Sequence, residues 1–493
     1  MKIKSKILNH FVNTSVFDLI PLSLRQSVLY ALALFFSKGI GFLMIPVFTH
    51  FLEPADYGRL DILQTLADLL SIVLIMGLSD TLFKFYGEAR SEEEKVRVAA
   101  NIFGMALFIC AASTIILQLC APMLQTILPG DVTIWQTRFI LISLSVSACL
   151  LIPLCWHRMK DRAGQYFILS TARVMIQALL SALFLYAGFG VTGVMAAGAL
   201  AALICSIKVS YDFIRDYGAA FDFRYWRKFF LYGSPLILTG LAGFILGSFD
   251  RWILAEAAGP EVMAKYALAA KFGLLTALLV QPFELWWNPK RFEVLNNNNG
   301  PEICAKNIST GLVIVALSIL CISTGAPLAI TVMTPNTYHD AIIYVPFLST
   351  LAGIHAATLL MNIGIYNVKI TKWPAIIDMS AAGIALAGYL ILIPLFAAWG
   401  AISATAIALT LRFTATLILS QRIAPLPYEG VVLSGLGSLT FMVVGVLAQE
   451  FDLLSHIAIG GLGFFVLIIY ALYVGLLPPL KLHIGVEAKK CSS

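Results

Sequence analysis

The sequence predicts an all-α integral membrane protein of about fourteen transmembrane helices, and three observations carry that expectation. Of 493 residues, 59% are hydrophobic and only 12% charged, whereas soluble domains carry about 25% charged residues. Mean hydropathy is +0.88. Apolar runs of the roughly 20 residues that a helix needs to cross the hydrocarbon core recur along almost the whole chain. They cover 26–51, 60–83, 98–120, 136–156, 163–187, 191–210, 230–254, 265–287, 307–332, 341–366, 372–394, 398–420, 430–449 and 454–478, taken below as spans 1 to 14.

The positive residues set an orientation. With the N-terminus placed in the cytoplasm, the inside segments hold Lys2, Lys4, Lys6, Arg25, Lys84, Arg90, Lys95, Arg97, Arg158, Lys160, Arg162 and the later clusters from Lys208 to Lys228, Lys290 to Lys306, Lys369 to Lys372, Arg422 and Lys481 to Lys490. The outside segments hold Arg59, Arg138, Arg251 and Lys265. This split of roughly 25 to 4 follows the positive-inside rule, and an even number of crossings places both termini in the cytoplasm. The net charge of +6 is therefore topological, and no nucleic-acid partner is expected.

The expected plan is a cytoplasmic N-terminal segment (1–25), an N-lobe of six spans (26–210), a cytoplasmic linker (211–229), a C-lobe of six spans (230–420), two appended spans (430–478) and a cytoplasmic tail (479–493). The first segment lacks an apolar core followed by a small-residue cleavage site, so it reads as a retained interfacial segment and not a signal peptide. A faint repeat at a shift of about 206 residues supports the two halves. Leu52-Glu53-Pro54 precedes Arg59 and span 2, and Ala258-Gly259-Pro260 precedes Lys265 and span 8. The eight cysteines show no metal-ligand spacing and read as packing residues. No Gly-rich phosphate loop of the Walker type is present, which argues against ATP hydrolysis by this chain. Short loops, nearly bare on the outside, argue against a membrane-embedded glycosyltransferase or polymerase, so a transporter and not an enzyme is expected, with no cofactor or metal.

Particular residues give the sequence a family resemblance. Phe36-Ser37-Lys38-Gly39-Ile40-Gly41-Phe42 in span 1, Leu52 to Leu60, Gly77-Leu78-Ser79-Asp80, Ser248 to Leu254 and Tyr266 to Lys271 are similar to the polysaccharide transporter (Wzx-type oligosaccharide flippase) branch of the multidrug/oligosaccharidyl-lipid/polysaccharide (MOP) exporter superfamily. The resemblance implies a V-shaped pair of six-helix lobes, as in MATE transporters, that work by alternating access in a bacterial inner membrane. It implies undecaprenyl-diphosphate-linked oligosaccharide as cargo, for O-antigen, capsule or exopolysaccharide, with membrane lipids and a polysaccharide polymerase or assembly proteins as partners. In the related lipid II flippases a basic residue of span 1 serves the central cavity, and Lys38 holds that place here. A second basic residue would fall near Met44, so this chain departs from the lipid II pattern. The two extra helices of those flippases resemble spans 13 and 14.

Ionisable groups at bilayer depth are costly and face a cavity or a partner. Lys38 is near the middle of span 1, and Arg173 lies ~15 Å into span 5 at 1.5 Å per residue, so neither reaches an interface easily. Fixed cations in a wet cavity offset the desolvation of a diphosphate, which makes Lys38 and Arg173 the first substrate-binding candidates. Lys271 and Arg251, nearer the outer end, are further candidates. Asp68, Asp250, His355 and Asp378 are candidates for coupling to a proton or sodium gradient. Arg412 and Glu284 are expected to reach the inner interface, and Trp286 with Trp287 to form part of an aromatic belt. Bends or hinges are expected at Pro46, Pro235 and Pro282 and along Gly240, Gly243 and Gly247, which share one helix face. Two alternatives remain at this level: a MATE-like multidrug or cation antiporter, which the basic residues and the extra spans argue against, and an assembly scaffold.

Overall fold

Long apolar runs with few breakers fold as helices, and the described residues contain helices joined by turns and irregular links, with no strand among them. The structure, a computed structural model, describes residues 22–75, 77–160, 162–288, 290–366, 372–449 and 451–477. The expected N-terminal segment before residue 22 and the tail after 477 lie outside the described residues.

In chain order the helices are α1 (Leu22–Phe51), α2 (Pro54–Ile75), α3 (Leu78–Glu88), α4 (Glu92–Ile127), α5 (Ile134–Ser145), α6 (Ser147–Met159), α7 (Ala163–Tyr186), α8 (Gly190–Tyr217), α9 (Phe223–Gly247) and α10 (Asp250–Trp287). After them come α11 (Arg291–Leu295), α12 (Gly300–Met333), a 3-10 segment (Asn336–Tyr344), α13 (Val345–Met361), α14 (Ile363–Tyr366), α15 (Lys372–Phe396), α16 (Ala398–Ile423), α17 (Gly430–Leu447) and α18 (Leu453–Tyr473). Twelve helical segments among the described residues are long and apolar enough to cross a membrane, one of them, Phe223–Trp287, holding both α9 and α10, and Phe35–Phe51 is a shorter apolar helix. Large apolar side chains such as Leu119, Val431, Phe465 and Tyr473 are exposed on these helices, as a hydrocarbon solvent requires.

Local chemistry explains the ends. Ser91 caps α4 by accepting from the Glu94 amide, and Glu92, Glu93 and Glu94 load its first turn with the negative charge that a helix N-terminus favours. Thr133 and Gln136 form a reciprocal capping box at α5. Span 2 breaks into α2 and α3 at Gly77, whose φ of 64° is open to glycine. Outside the spans, Lys160 donates to Glu92 at 2.6 Å, and this hydrogen bond raises the Lys160 pKa above its ordinary value.

The expected linker is mostly helical. Asp212 pairs with Lys208 one turn before it and with Arg215 at 3.8 Å three residues on, and Phe213 packs into the core, so α8 continues as a helix to Tyr217, leaving only 218–222 outside helices. That short link is pinned to α4. Ala220 N donates to Ala100 O at 3.0 Å, Asp222 N to Asn101 Oδ1 at 3.0 Å and Trp226 Nε1 to Asn101 O at 3.1 Å.

The chain divides into two compact units. One holds the described residues up to Ala267 with Met333–His339 and Ala382–Ala404; the other holds Leu268–Val332, Asp340–Ala381 and the described residues from Thr405. In the first, Leu78, Phe103, Ile152, Trp156, Phe213, Trp226 and Phe229 form an apolar core. In the second, Val280, Trp287, Ile308, Leu320, Leu360, Leu436 and Leu467 do so, which seats α17 and α18 with α12 and α13. Trp287 thus belongs to a core and not to an aromatic belt, while its neighbour Trp286 is exposed.

Within the first unit the two repeat-related helix starts touch. A Cβ on Gly58 of α2 would lie 2.2 Å from the Pro260 carbonyl oxygen, beside the kink of α10 at Gly259 (φ 86°). Because the obstacle is backbone, Gly58→Val is expected to lower stability by about 1–3 kcal/mol or more. Gly243→Ala, at a position with open space, should leave the melting temperature in detergent nearly unchanged. A Gly58→Val protein that melts like the wild type would contradict this packing.

Candidate functional site

The site begins with two cations in the first unit. α1 packs along α7, with Phe36 set edge-on to Phe167 at 5.7 Å between ring centroids. Lys38 stands two residues beyond Phe36 and is exposed, and a Cβ on either Gly39 or Gly41 would meet nothing within 4 Å, so the helix is thin beside it. Arg173 on α7 is half-buried beside Cys205 of α8. Among the described residues neither cation has a hydrogen-bond or ion-pair partner. Asp68 on α2 is exposed and lies within electrostatic reach of Lys38, Arg251 and Asp61; it makes no close ion pair with Lys38.

Farther along α2 toward its start, the charges are matched. Asp61 sits seven residues before Asp68 and so on the same helix face. Arg251 Nη1 donates to Asp61 Oδ2 at 2.9 Å, with side-chain exposures of 11% and 1%. Its neighbour Asp250 is buried and accepts a hydrogen bond from the buried Tyr266 hydroxyl. Arg251, a cargo candidate from its sequence position, therefore has its charge matched by Asp61, and Asp250 is tied to Tyr266. Around this pair, Tyr338 OH donates to Leu52 O at 2.9 Å, and Arg59 links Asp56 at 2.7 Å with Gly130 O at 2.8 Å. Polar contacts thus reach the start of α2 from the α4–α5 turn, the start of α10 and the segment before α13.

The second unit has its own cluster. Arg412 Nε donates to Asp378 Oδ1 at 2.7 Å, and Arg412 Nη1 lies 3.0 Å from His355 Nδ1. Arg412 does not reach for the interface as its position suggested; it turns inward onto His355 and Asp378, and its side chain is 10% exposed. Lys271, on α10, is half-buried.

The bend candidates differ among themselves. The Pro46 carbonyl accepts from His50 Nδ1 at 2.8 Å within an unbroken α1. Pro282 lies exposed inside α10, and Pro235 falls in α9 at a position whose side chain lies outside those described. Of the glycines on α9, Gly240 meets Ile72 of α2, where a Cβ would stand 2.6 Å from its Cγ2, while Gly243 and Gly247 face open space.

Sequence reasoning missed Asp61 and Tyr266 and misplaced Arg412. A usable signal existed for Asp61, an acidic residue inside an apolar run at the end where Arg251 also falls. Removing one member of a buried pair costs about 3–5 kcal/mol because the other charge is left unmatched. Asp61→Asn and Arg251→Gln are each expected to lower the melting temperature, and the double variant to lose less than the sum of the two. Strict additivity in that double-mutant cycle would show that the pair is not coupled.

Residues 23–284 match the family model described as polysaccharide biosynthesis protein. Among solved structures the chain is similar to the lipid II flippase MurJ in an inward closed conformation, at a TM-score of 0.68 and 14% identity over 91% of this chain and 99% of that one. It is also similar to a multidrug resistance MATE family transporter of the MOP superfamily. The inward-facing form gives a TM-score of 0.58 at 15% identity over 78% of this chain and 94% of that one. The outward-facing form gives 0.54 at 14% over 80% and 95%. At such identities the likeness is one of fold. No curated protein sequence matches. With more than half of its residues matched, the chain belongs to the polysaccharide biosynthesis protein family and has the fold of MOP superfamily transporters.

Proposed function

We propose that this chain is a flippase that carries an undecaprenyl-diphosphate-linked oligosaccharide from the inner to the outer leaflet of a bacterial inner membrane by alternating access. The observation that carries this reading is the pair of cations, Lys38 and Arg173, that lack a hydrogen-bond or ion-pair partner among the described residues, on the packed helices α1 and α7. A cation left unmatched in a span costs about 2.5–3.5 kcal/mol on insertion scales, a cost that an anionic head group offsets when it arrives. The two side chains suit complementary tasks. The lysine ammonium is a mobile point charge, and the arginine fork can grip two oxygens of one phosphate. Sugar identity then matters little, because the attraction is to the diphosphate.

Charge sign separates this reading from a multidrug antiporter, whose cationic cargo Lys38 and Arg173 would repel. Each charge-assisted hydrogen bond contributes about 1.5–3 kcal/mol, so Lys38→Ala or Arg173→Ala is expected to slow glycan export roughly 10- to 100-fold, while Lys38→Arg retains most of it. The lipid-linked unit should accumulate on the inner leaflet, inaccessible to periodate added outside. Normal export by the Lys38→Ala, Arg173→Ala double variant would contradict the proposal.

A further inference from the structure

The second unit holds a cluster that the lipid-binding cations leave unused. His355 lies on α13, Asp378 on α15 and Arg412 on α16, and the arginine touches both of the others, at 2.7 Å to Asp378 and 3.0 Å to His355. A guanidinium has donors and no acceptor, so His355 Nδ1 must present its lone pair. The imidazole is therefore neutral, with its proton on Nε2. The charges of Asp378, Arg412 and His355 then cancel.

A proton added at Nδ1 changes two things at once. It turns the acceptor that Arg412 needs into a donor, which breaks that hydrogen bond, and it leaves the cluster with one uncompensated positive charge. The charges acting on the ring are Arg412 from α16 and Asp378 from α15. Tyr366 and Arg291 adjoin the pair, Arg291 being held to Asn362 Oδ1 at 2.8 Å. No second carboxylate stands among these groups to absorb the new charge, so the protonated and neutral clusters favour different arrangements of the three helices. That is the requirement for a two-state element that a ligand can bias.

We infer that His355, Asp378 and Arg412 form a proton-binding centre that couples transport to a proton gradient, with one proton taken at His355 Nδ1 in each cycle. The inference rests on the transporter reading above and adds the coupling ligand. A proton suits the cluster better than sodium does. The Asp378 carboxylate is already matched by a fixed cation, and the group whose charge can change is an imidazole, whose nitrogen takes a proton, whereas hard cations take oxygen ligands.

The test uses the full chain in proteoliposomes, with undecaprenyl diphosphate bearing a single N-acetylglucosamine as the probe and periodate accessibility as the readout of leaflet. With one proton exchanged per lipid, a gradient of two pH units drives the leaflet ratio away from unity by up to about 100-fold. His355→Gln, which keeps an oxygen acceptor for Arg412 and takes no proton, is expected to hold the ratio near one. A wild-type ratio indifferent to the gradient, or a His355→Gln ratio that follows it, would overturn the inference. If the wild type moves no probe in either condition, the cargo reading fails. The proton site is then decided on the wild-type chain in bilayers by 15N NMR of histidine, with His355 assigned through its contact to Arg412. A neutral ring protonated at Nε2 at pH 7.5 that turns cationic on acidification with loss of that contact supports the centre. A ring cationic at pH 7.5, or one protonated at Nδ1, overturns it.

Discussion

A formal charge inside an apolar span must be matched by a partner, by water or by a ligand, and most of the informative geometry of this protein follows from that constraint. Each unit meets it differently. In the first, Asp61 and Arg251 match one another where both are buried, and among the described residues Lys38 and Arg173 make no hydrogen bond or close ion pair, Lys38 being exposed and Arg173 half-buried. In the second, Arg412 divides its donors between a carboxylate and an imidazole. Breaking a matched pair is costly, and under the proposed function the two cations without a close partner among the described residues receive the anion. On that reading the same residue types separate into groups that fix helices and groups that bind.

The backbone supports that separation. Gly58 lets the start of α2 meet the Pro260 carbonyl, which brings Asp61 close enough to Arg251 for a direct bond. Thinning of α1 at Gly39 and Gly41 leaves open space beside Lys38, so close helix packing does not bury the ammonium. Small residues therefore act in opposite senses along the same unit, as points of contact near one end and as clearance near the middle. The apolar cores of the two units, which include Trp156 and Phe213 in one and Trp287 and Leu320 in the other, pack the helices within each unit.

Helices were legible in the sequence because the length of an apolar run measures the membrane directly, and spans such as 163–187 and 398–420 differ from α7 and α16 by only a few residues at their ends. Lys38 and Arg173 stood out for the same reason, as cations in runs that otherwise lack charge. What the sequence conveys is depth; it does not convey the direction a side chain takes around its helix. Trp286 and Trp287 are adjacent, about 100° apart on the helix, and one is 48% exposed while the other is 1% exposed. Arg412 was placed by depth at the inner interface, but its azimuth turns it to Asp378 and His355, 34 and 57 positions away. Asp61 finds its partner 190 positions away, a separation over which no local pattern operates. The helical extension of α8 past residue 210 was hidden because it mixes charged residues with the few apolar ones, Phe213 and Tyr217, that pack against the core.

Binding of the lipid diphosphate itself tests the central claim most directly. Purified chain in nanodiscs, titrated with undecaprenyl diphosphate and read by native mass spectrometry, is predicted to retain one lipid that Lys38→Ala and Arg173→Ala each weaken and the double variant loses. Retention of the lipid by the double variant at wild-type affinity would contradict the account, because it would leave the two unmatched cations without the anion that explains them.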